Sequence, residues 1–407
     1  MPSFEEARRT VLEHVPRLGP EAVPVLDAVG QALATDVVAP WDLPRWDNSA
    51  MDGFAIRAED ATRAGGLLLS GCVAAGATLQ GAVEPGTAVR ILTGAALPPG
   101  ADAVVPQEEA EERAGRVHVP PTVRPGAHVR RRGEDVRAGE TVLTPGTAIG
   151  PPEVALLAAC SRLAACVHRR ARVAILSTGD ELVEPGLPLA PGQIHDGNGW
   201  ALATAVRQAG AIPTLLGIAR DDRAALRRLI GEGLAADALV TSAGVSTGER
   251  DLVREVLAEL SARPVFWGVD VKPGHPMAFA MAGRVPVFSL PGNPVAALLT
   301  FEQFVRPALL RMMGHARVHR PLVRATLQDE VVRRPGRVQL VRVRLERRAG
   351  ALLAFSAGRQ DTGILRTSLQ ADGIALLPAD LGTVAAGTPV DVQLLRGDPE
   401  PGARRPR

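Results

Sequence analysis

Val173-Ala174-Ile175-Leu176-Ser177-Thr178-Gly179-Asp180-Glu181 is the stretch that decides the fold class. Four apolar residues run without alternation into a hydroxyl pair, a glycine and two acids. A strand buried on both faces reads this way, with a polar turn after it. The same pattern recurs downstream. Strands are predicted at 214–218, 238–240, 265–271 and 285–290, with helices at 201–209, 224–235, 252–260 and 295–313. Apolar strands alternating with amphipathic helices predict a parallel sheet covered on both faces.

Toward the N-terminus, Ser3 and Glu6 have capping-box spacing, and Phe4, Ala7, Val11 and Val15 form an apolar stripe, so a helix is expected there. A second helix is expected at 25–34 and a third at 151–165, begun by Pro151 and Pro152. Between them, from Trp41 to about residue 142, short apolar runs at 88–92 and 103–105 lie among Gly and Pro, as in a small β-rich unit. Beyond His319, Val338-Gln339-Leu340-Val341-Arg342-Val343-Arg344-Leu345 alternates strictly, and Pro335-Gly336 and Gly387-Thr388-Pro389 mark turns. That pattern predicts a small C-terminal β-barrel or sandwich. The expected organisation is a discontinuous helical domain (1–42 and 142–170) interrupted by an inserted β domain (43–141), then an α/β domain (171–316) and a C-terminal β domain (317–407).

Composition excludes several classes. The 407 residues are 46% hydrophobic and 22% charged, which is ordinary for a globular chain. Net charge is +2, and residues 317–407 contain one aromatic, Phe355, so nucleic acid is not the expected partner. No apolar run approaches the roughly 18 residues of a membrane span. The acidic start, Met1-Pro2-Ser3-Phe4-Glu5-Glu6, has no apolar signal segment, so a cytoplasmic location is expected. Cys72, Cys160 and Cys166 lack the spacing of a disulfide framework or a zinc site. The charge is uneven, with 16 Arg against 9 acids in residues 317–407, which suits an anionic ligand beside that domain.

Lys272 is the single lysine among 46 basic residues. It stands in one of five loops expected at one edge of the α/β sheet, where open α/β sheets bind ligands. The five are Ser177-Thr178-Gly179-Asp180-Glu181, Asp221-Asp222, Ser242-Ala243-Gly244-Val245-Ser246 running on to Asp251, Lys272-Pro273-Gly274-His275, and Pro291-Gly292-Asn293-Pro294. One of Asp221 and Asp222 is expected to cap a helix, and Asn293-Pro294 is a good start for another. Convergence of hydroxyls, an ammonium and carboxylates describes a site for a phosphorylated ligand. Glu181, Asp222 and Asp251 are the candidate Mg²⁺ ligands. The β insert adds Asp47-Asn48-Ser49-Ala50-Met51-Asp52-Gly53-Phe54-Ala55, Thr93-Gly94-Ala95 and Arg130-Arg131-Arg132-Gly133-Glu134-Asp135, which together read as a polar site on a β domain.

These motifs, in this order, resemble the molybdopterin molybdenumtransferase family (MoeA and the gephyrin E domain), and the resemblance runs from residue 1 to about 400. It implies the four-part architecture above and an elongated homodimer whose cleft joins the α/β domain of one subunit to the β insert of the other. The implied reaction is Mg²⁺-dependent insertion of molybdate into adenylylated molybdopterin, with release of AMP. Implied partners also include the adenylyltransferase that makes that substrate and molybdoenzyme chaperones. Carried onto this chain, the catalytic residues are Asp52, Thr93, Glu181 and Lys272. The substrate-binding residues are Ser177, Thr178, Gly179, Asp222, Gly244, Ser246, Pro291, Gly292, Asn293 and Pro294. Arg337 or Arg342, with Thr362, would be the C-terminal domain's contribution to molybdate. The alternatives from other classes are a molybdopterin adenylyltransferase and a non-enzymatic molybdopterin-binding scaffold. Three departures stand out: His275 where the family usually has a second Lys, Ala243 where it has Gly, and Gly197 where it has Ser. If His275 substitutes for that lysine as a cation, molybdate use should weaken above pH ~6.5.

Overall fold

The computed structural model describes residues 1–77, 81–243 and 252–395. They form two compact units: Met1–Ala34 with Pro145–Pro151 and Ala164–Arg407, and Thr35–Thr144 with Pro152–Leu163.

The first unit is organised around a six-stranded sheet: β1 (Arg172–Thr178), β2 (Ile212–Ala219), β3 (Ala238–Ser242), β4 (Arg263–Trp267), β5 (Ala278–Ala282) and β6 (Val285–Leu290). Their order is β2-β1-β3-β6-β5-β4. β1 pairs in parallel with β2 and β3, and β3 with β6, whereas β5 runs antiparallel to both β6 and β4. The sheet is therefore mixed rather than wholly parallel. β5 escaped the sequence reading because its Ala-Phe-Ala-Met-Ala run is joined to β6 by a two-residue turn at Gly283-Arg284, with Ala282 paired to Val285. Helices α1 (Gly197–Gln208), α2 (Arg223–Gly233) and α3 (Leu252–Glu259) alternate with the strands, and Val206, Leu226 and Val256 carry their buried faces.

The expected strand at 265–271 is two elements. Gly268, at φ +81, breaks it after Trp267, and Val271–Lys272 then pairs in parallel with Val338 and Gln339 of the C-terminal sheet. That sheet closes into a five-stranded barrel. Val338–Arg348 lies beside Ala351–Ser356, followed by Leu322–Leu327, Pro389–Leu394 and Gly373–Leu377, which returns to Val338–Arg348. Val341, Val343, Leu377 and Val392 fill it, the inward half of the alternation.

The N-terminal helix Phe4–His14 forms as expected. Ser3 Oγ accepts from the Glu6 N–H (3.3 Å), and Glu6 accepts from the Ser3 N–H (2.9 Å). Its Phe4 packs edge-on against Phe304 at 5.7 Å. No helix forms at 25–34. Pro20–Pro24 pairs with Ala164–His168, and Gly30 at φ +81 turns the chain so that Leu33 bridges to Val167. Val25, Ala28 and Ala32 are buried and mimic helical spacing, but Leu26 and Val29 face solvent. The helix expected at 151–165 stops at Ala159, and the one expected at 295–313 contains a π segment at Phe301–Val305.

The second unit is the β insert. Its sheet order is Ala103–Pro106, Gly53–Ile56, Thr87–Ile91, Leu67–Val73, Arg116–His118, Glu111–Arg113. Phe54, Ile56, Leu67 and Val117 form one packed face and Val73, Val89 and Val104 another.

Candidate active site

β1, β2, β3, β4 and β6 all point the same way, because two antiparallel steps through β5 restore the direction of β4. The five loops therefore leave one edge of the sheet, as the spacing of the motifs requires. Strand order spreads them along that edge. The acidic loops follow β1 and β2, the loops after β3 and β6 lie in the middle, and Lys272 follows β4. Four strand steps separate β1 from β4, or roughly 19 Å at about 4.8 Å per step. The acidic loops and the loop that carries Lys272 thus leave the sheet at strands four steps apart, with Lys272 itself paired into the barrel sheet.

At the acidic end, Asp222 is the helix cap. Its carboxylate accepts from the Ala225 N–H at 2.7 Å, and Asp221 is left to face the β1 loop. Asp180 accepts from the Asp221 N–H at 3.2 Å. Burial, then the charges of Asp180 and Glu181, push the Asp221 carboxyl above its ordinary range. Asp180 and Asp221 are the acids that sequence reasoning passed over, since nothing in an Asp-Asp pair tells which member caps. Gly179 holds φ +144, a conformation that strains any other residue, and a Cβ there would make the flexible Glu181 carboxylate, 2.5 Å away, swing aside. An all-oxygen donor set under mutual repulsion suits a hard divalent cation. Among the described residues no three His, Cys, Asp or Glu converge as a complete metal cage. The donors fit Mg²⁺ only in its usual form, with one or two carboxylates and the rest of the shell from phosphate and water. Gly244, Ser246 and Asp251 lie outside the described residues.

In the middle, Ser177 and Thr178 are 1% and 3% exposed. The Thr178 hydroxyl donates to the Ser242 carbonyl at 3.3 Å inside the sheet, whereas Ser177 Oγ has no hydrogen-bond partner among the described residues. Asn198, in the first turn of α1, donates to Ser242 Oγ (2.9 Å) and to the Gly292 carbonyl (2.7 Å), clipping the loops after β3 and β6 together. Asp196 caps that helix through the Gly199 N–H at 2.9 Å. Asn198 is a third residue the sequence did not single out, since its partners come from two distant loops. Ala243 holds φ +72, a conformation glycine adopts freely, and its Cβ lies 3.2 Å from where a Cβ on Gly292 would be. Pro291 is buried, and Asn293 stands at the cap position of helix Pro294–Thr300 without using its side chain. The first-turn N–H of Val295 donates to the Thr362 carbonyl at 3.1 Å, so the barrel takes one of the donors expected for phosphate.

At the basic end Lys272 is exposed and has no ion-pair partner among the described residues. Gly274 (φ +113) presses on helix Pro294–Thr300: a Cβ there would be 2.3 Å from Thr300 Cγ2. The two arginine candidates separate clearly. Arg342 is 2% exposed and bonds the carbonyls of Arg359 and Asp361 at 3.1 and 3.2 Å, so it holds the barrel together. Arg337 is half-exposed beside the Lys272 loop, with Nη2 3.3 Å from His275 Nε2 and Nε 4.0 Å from Asp270.

In the second unit, Asp52 accepts from the Thr93 N–H (2.6 Å) and hydroxyl (2.7 Å), and the Thr93 backbone hydrogen bond holds its carboxyl below the usual range. Asp47 binds the Arg132 N–H and the Arg131 guanidinium, both at 2.7 Å. The paired acids in that loop therefore anchor its neighbours.

Fold and site together define a multidomain protein built around a molybdopterin-type α/β domain, and three family models match it in order. They are the MoeA N-terminal region (domain I and II) at residues 2–161, a probable molybdopterin binding domain at 174–311, and the MoeA C-terminal region (domain IV) at 324–395. Molybdopterin molybdenumtransferase 2 of Mycobacterium tuberculosis (strain H37Rv) is 38% identical over 96% of this chain and 99% of its own length. Molybdopterin molybdenumtransferase of Nostoc sp. is 37% identical over 96% of this chain and 93% of its own. The crystal structure of the molybdopterin biosynthesis MoeA protein from Pyrococcus horikoshii superposes with a TM-score of 0.81 at 33% identity, covering 97% of this chain and 99% of that one. The chain belongs to the molybdopterin molybdenumtransferase (MoeA) family.

Proposed function

We propose that this protein is a molybdenumtransferase of molybdenum cofactor biosynthesis: it inserts molybdate into adenylylated molybdopterin and releases AMP, with Mg²⁺ as the metal. The observation that carries the reading is the single sheet edge, acidic at one end and basic at the other, in a chain related along its whole length to molybdopterin molybdenumtransferases. An elongated, doubly functional ligand matches that layout. Its phosphate portion lies toward β1 and β2, and molybdate, a tetrahedral dianion, lies toward Lys272 and Arg337.

Glu181 and the β2 loop acids would hold Mg²⁺, which neutralises phosphate charge when bound. Asp222 keeps one carboxylate oxygen for its helix and has the other for this task. Lys272 supplies a compact positive charge and Arg337 a planar fork, two complementary ways of orienting an oxyanion. Asn198 holds the middle loops at fixed spacing, so the ligand's two ends are presented in register. Catalysis of this kind is positioning plus electrostatic stabilisation and uses no covalent enzyme intermediate. The homodimer, the cytoplasmic location and the supplying adenylyltransferase and receiving chaperones belong to the same proposal. No helix among the described residues is long and apolar enough to cross a membrane.

Purified protein given adenylylated molybdopterin, molybdate and Mg²⁺ should release AMP only when all three are present, and EDTA should stop it. No molybdate-dependent AMP release under those conditions would end the proposal.

A further inference from the structure

His275 occupies the position where the family usually has a second lysine, and its surroundings give it a different task. Its Nδ1 lies 3.0 Å from the Val269 carbonyl oxygen. A carbonyl only accepts, so Nδ1 carries the hydrogen, and the neutral ring keeps its lone pair on Nε2. Nε2 in turn lies 3.3 Å from Nη2 of Arg337, a group that only donates. The Nδ1 contact fits either charge state of the ring, and the Nε2 contact with a pure donor fits only the neutral one.

The backbone explains why these groups meet. Val271 pairs with Val338 and Lys272 with Gln339, and the Val338 N–H donates to the Asp270 carbonyl at 3.1 Å. Continuing that parallel register puts Arg337 opposite Asp270, on the same face of the ladder as Lys272 and Gln339. Asp270 lies 4.0 Å from Nε of the guanidinium and His275 lies 3.3 Å from Nη2. We infer that His275 is a positioning residue: as a neutral acceptor it aims Arg337 beside Lys272, and the oxyanion is gripped by that lysine and arginine, not by His275. This rests on reading the Lys272 loop as the molybdate end of the site.

The test compares wild type, His275→Gln (acceptor kept), His275→Leu (acceptor removed), Arg337→Ala and the Leu/Ala double variant. It measures molybdate binding by calorimetry, AMP release, and ¹⁵N imidazole spectra of the ligand-free protein. Loss of a charge-assisted hydrogen bond predicts roughly tenfold weaker molybdate binding in His275→Leu. That loss should appear in KM rather than kcat, be largely rescued in His275→Gln, and vanish in the Arg337→Ala background. The spectra should show Nδ1–H with an unprotonated Nε2. Additive losses in the double variant, no rescue by Gln, or a protonated Nε2 would each overturn the inference. If wild type binds molybdate with these variant effects but releases no AMP, the functional reading falls and the inference stands; if it binds no molybdate, both fall.

Discussion

Gly292→Ala tests the close approach of the two middle loops. A Cβ at residue 292 would sit 3.2 Å from the Ala243 Cβ, inside the 3.5–4.0 Å optimum for carbon pairs. Relieving that overlap should cost about 1 kcal/mol, at the low end for overpacking. No positive φ is involved at Gly292, so among the described residues the methyl of Ala243 is the obstacle. In an Ala243→Gly background the nearest remaining atom would be the residue 243 Cα at 3.8 Å, an ordinary contact, and the cost should fall to near zero. Ala243→Gly by itself also relieves the left-handed backbone. That strain is worth about 1–2 kcal/mol, less about 0.4–1 kcal/mol for the greater freedom of glycine in the unfolded chain. Denaturant unfolding of the four proteins should therefore show a coupling energy of about 1 kcal/mol between the two sites. Replacing Trp41 and Trp46 by Phe throughout confines the fluorescence to Trp200 and Trp267 in this domain. An equal cost for Gly292→Ala in both backgrounds would refute the packing argument.

Three further outcomes follow. Glu181→Gln should abolish AMP release with an unchanged unfolding midpoint, because Glu181 is exposed and the proposed function gives its charge to the metal; undiminished turnover would remove it from the mechanism. Asp52→Asn should loosen the Thr93 loop, read as faster amide exchange at Thr93. In wild type the Asp52 contribution is complete above pH 3.8 and is lost as pH falls through its lowered folded value. His319 is held from 6.5 down to about 4 by burial, Arg8 and Arg306. The unfolded chain therefore takes up a proton first, and stability should fall as pH drops from 6.5 toward 4. The fall should be about 1–2 kcal/mol once solvent screening of this half-exposed ring is counted. His319→Gln should flatten that slope, and an unaltered slope would contradict the assignment.

The role of His275 shows how tertiary context redirects a sequence reading. As a lone substitution for lysine it suggests a weak cation that fades at higher pH. In the inference drawn above it acts instead as a neutral acceptor that aims Arg337.

Much of the architecture was legible because it depends on neighbours in the chain. Unbroken apolar runs at β1, β3 and β6 mark strands buried on both faces, the Ser3–Glu6 spacing starts the first helix, and strict alternation after Val338 marks a barrel wall. The motif loops marked which residues are candidates to carry chemistry. The rest depended on long-range pairing, which one-dimensional spacing does not encode. Residues 25–34 had helical spacing, but Pro20–Pro24 found a strand partner more than 140 residues away. The Val271–Lys272 strand left the α/β sheet for the barrel. Which of Asp221 and Asp222 caps a helix, and which of Arg337 and Arg342 stays free for a ligand, followed only from where each backbone turns and what packs against it. Local sequence determines which groups a segment can offer; the three-dimensional competition for hydrogen-bond partners decides which remain available for function.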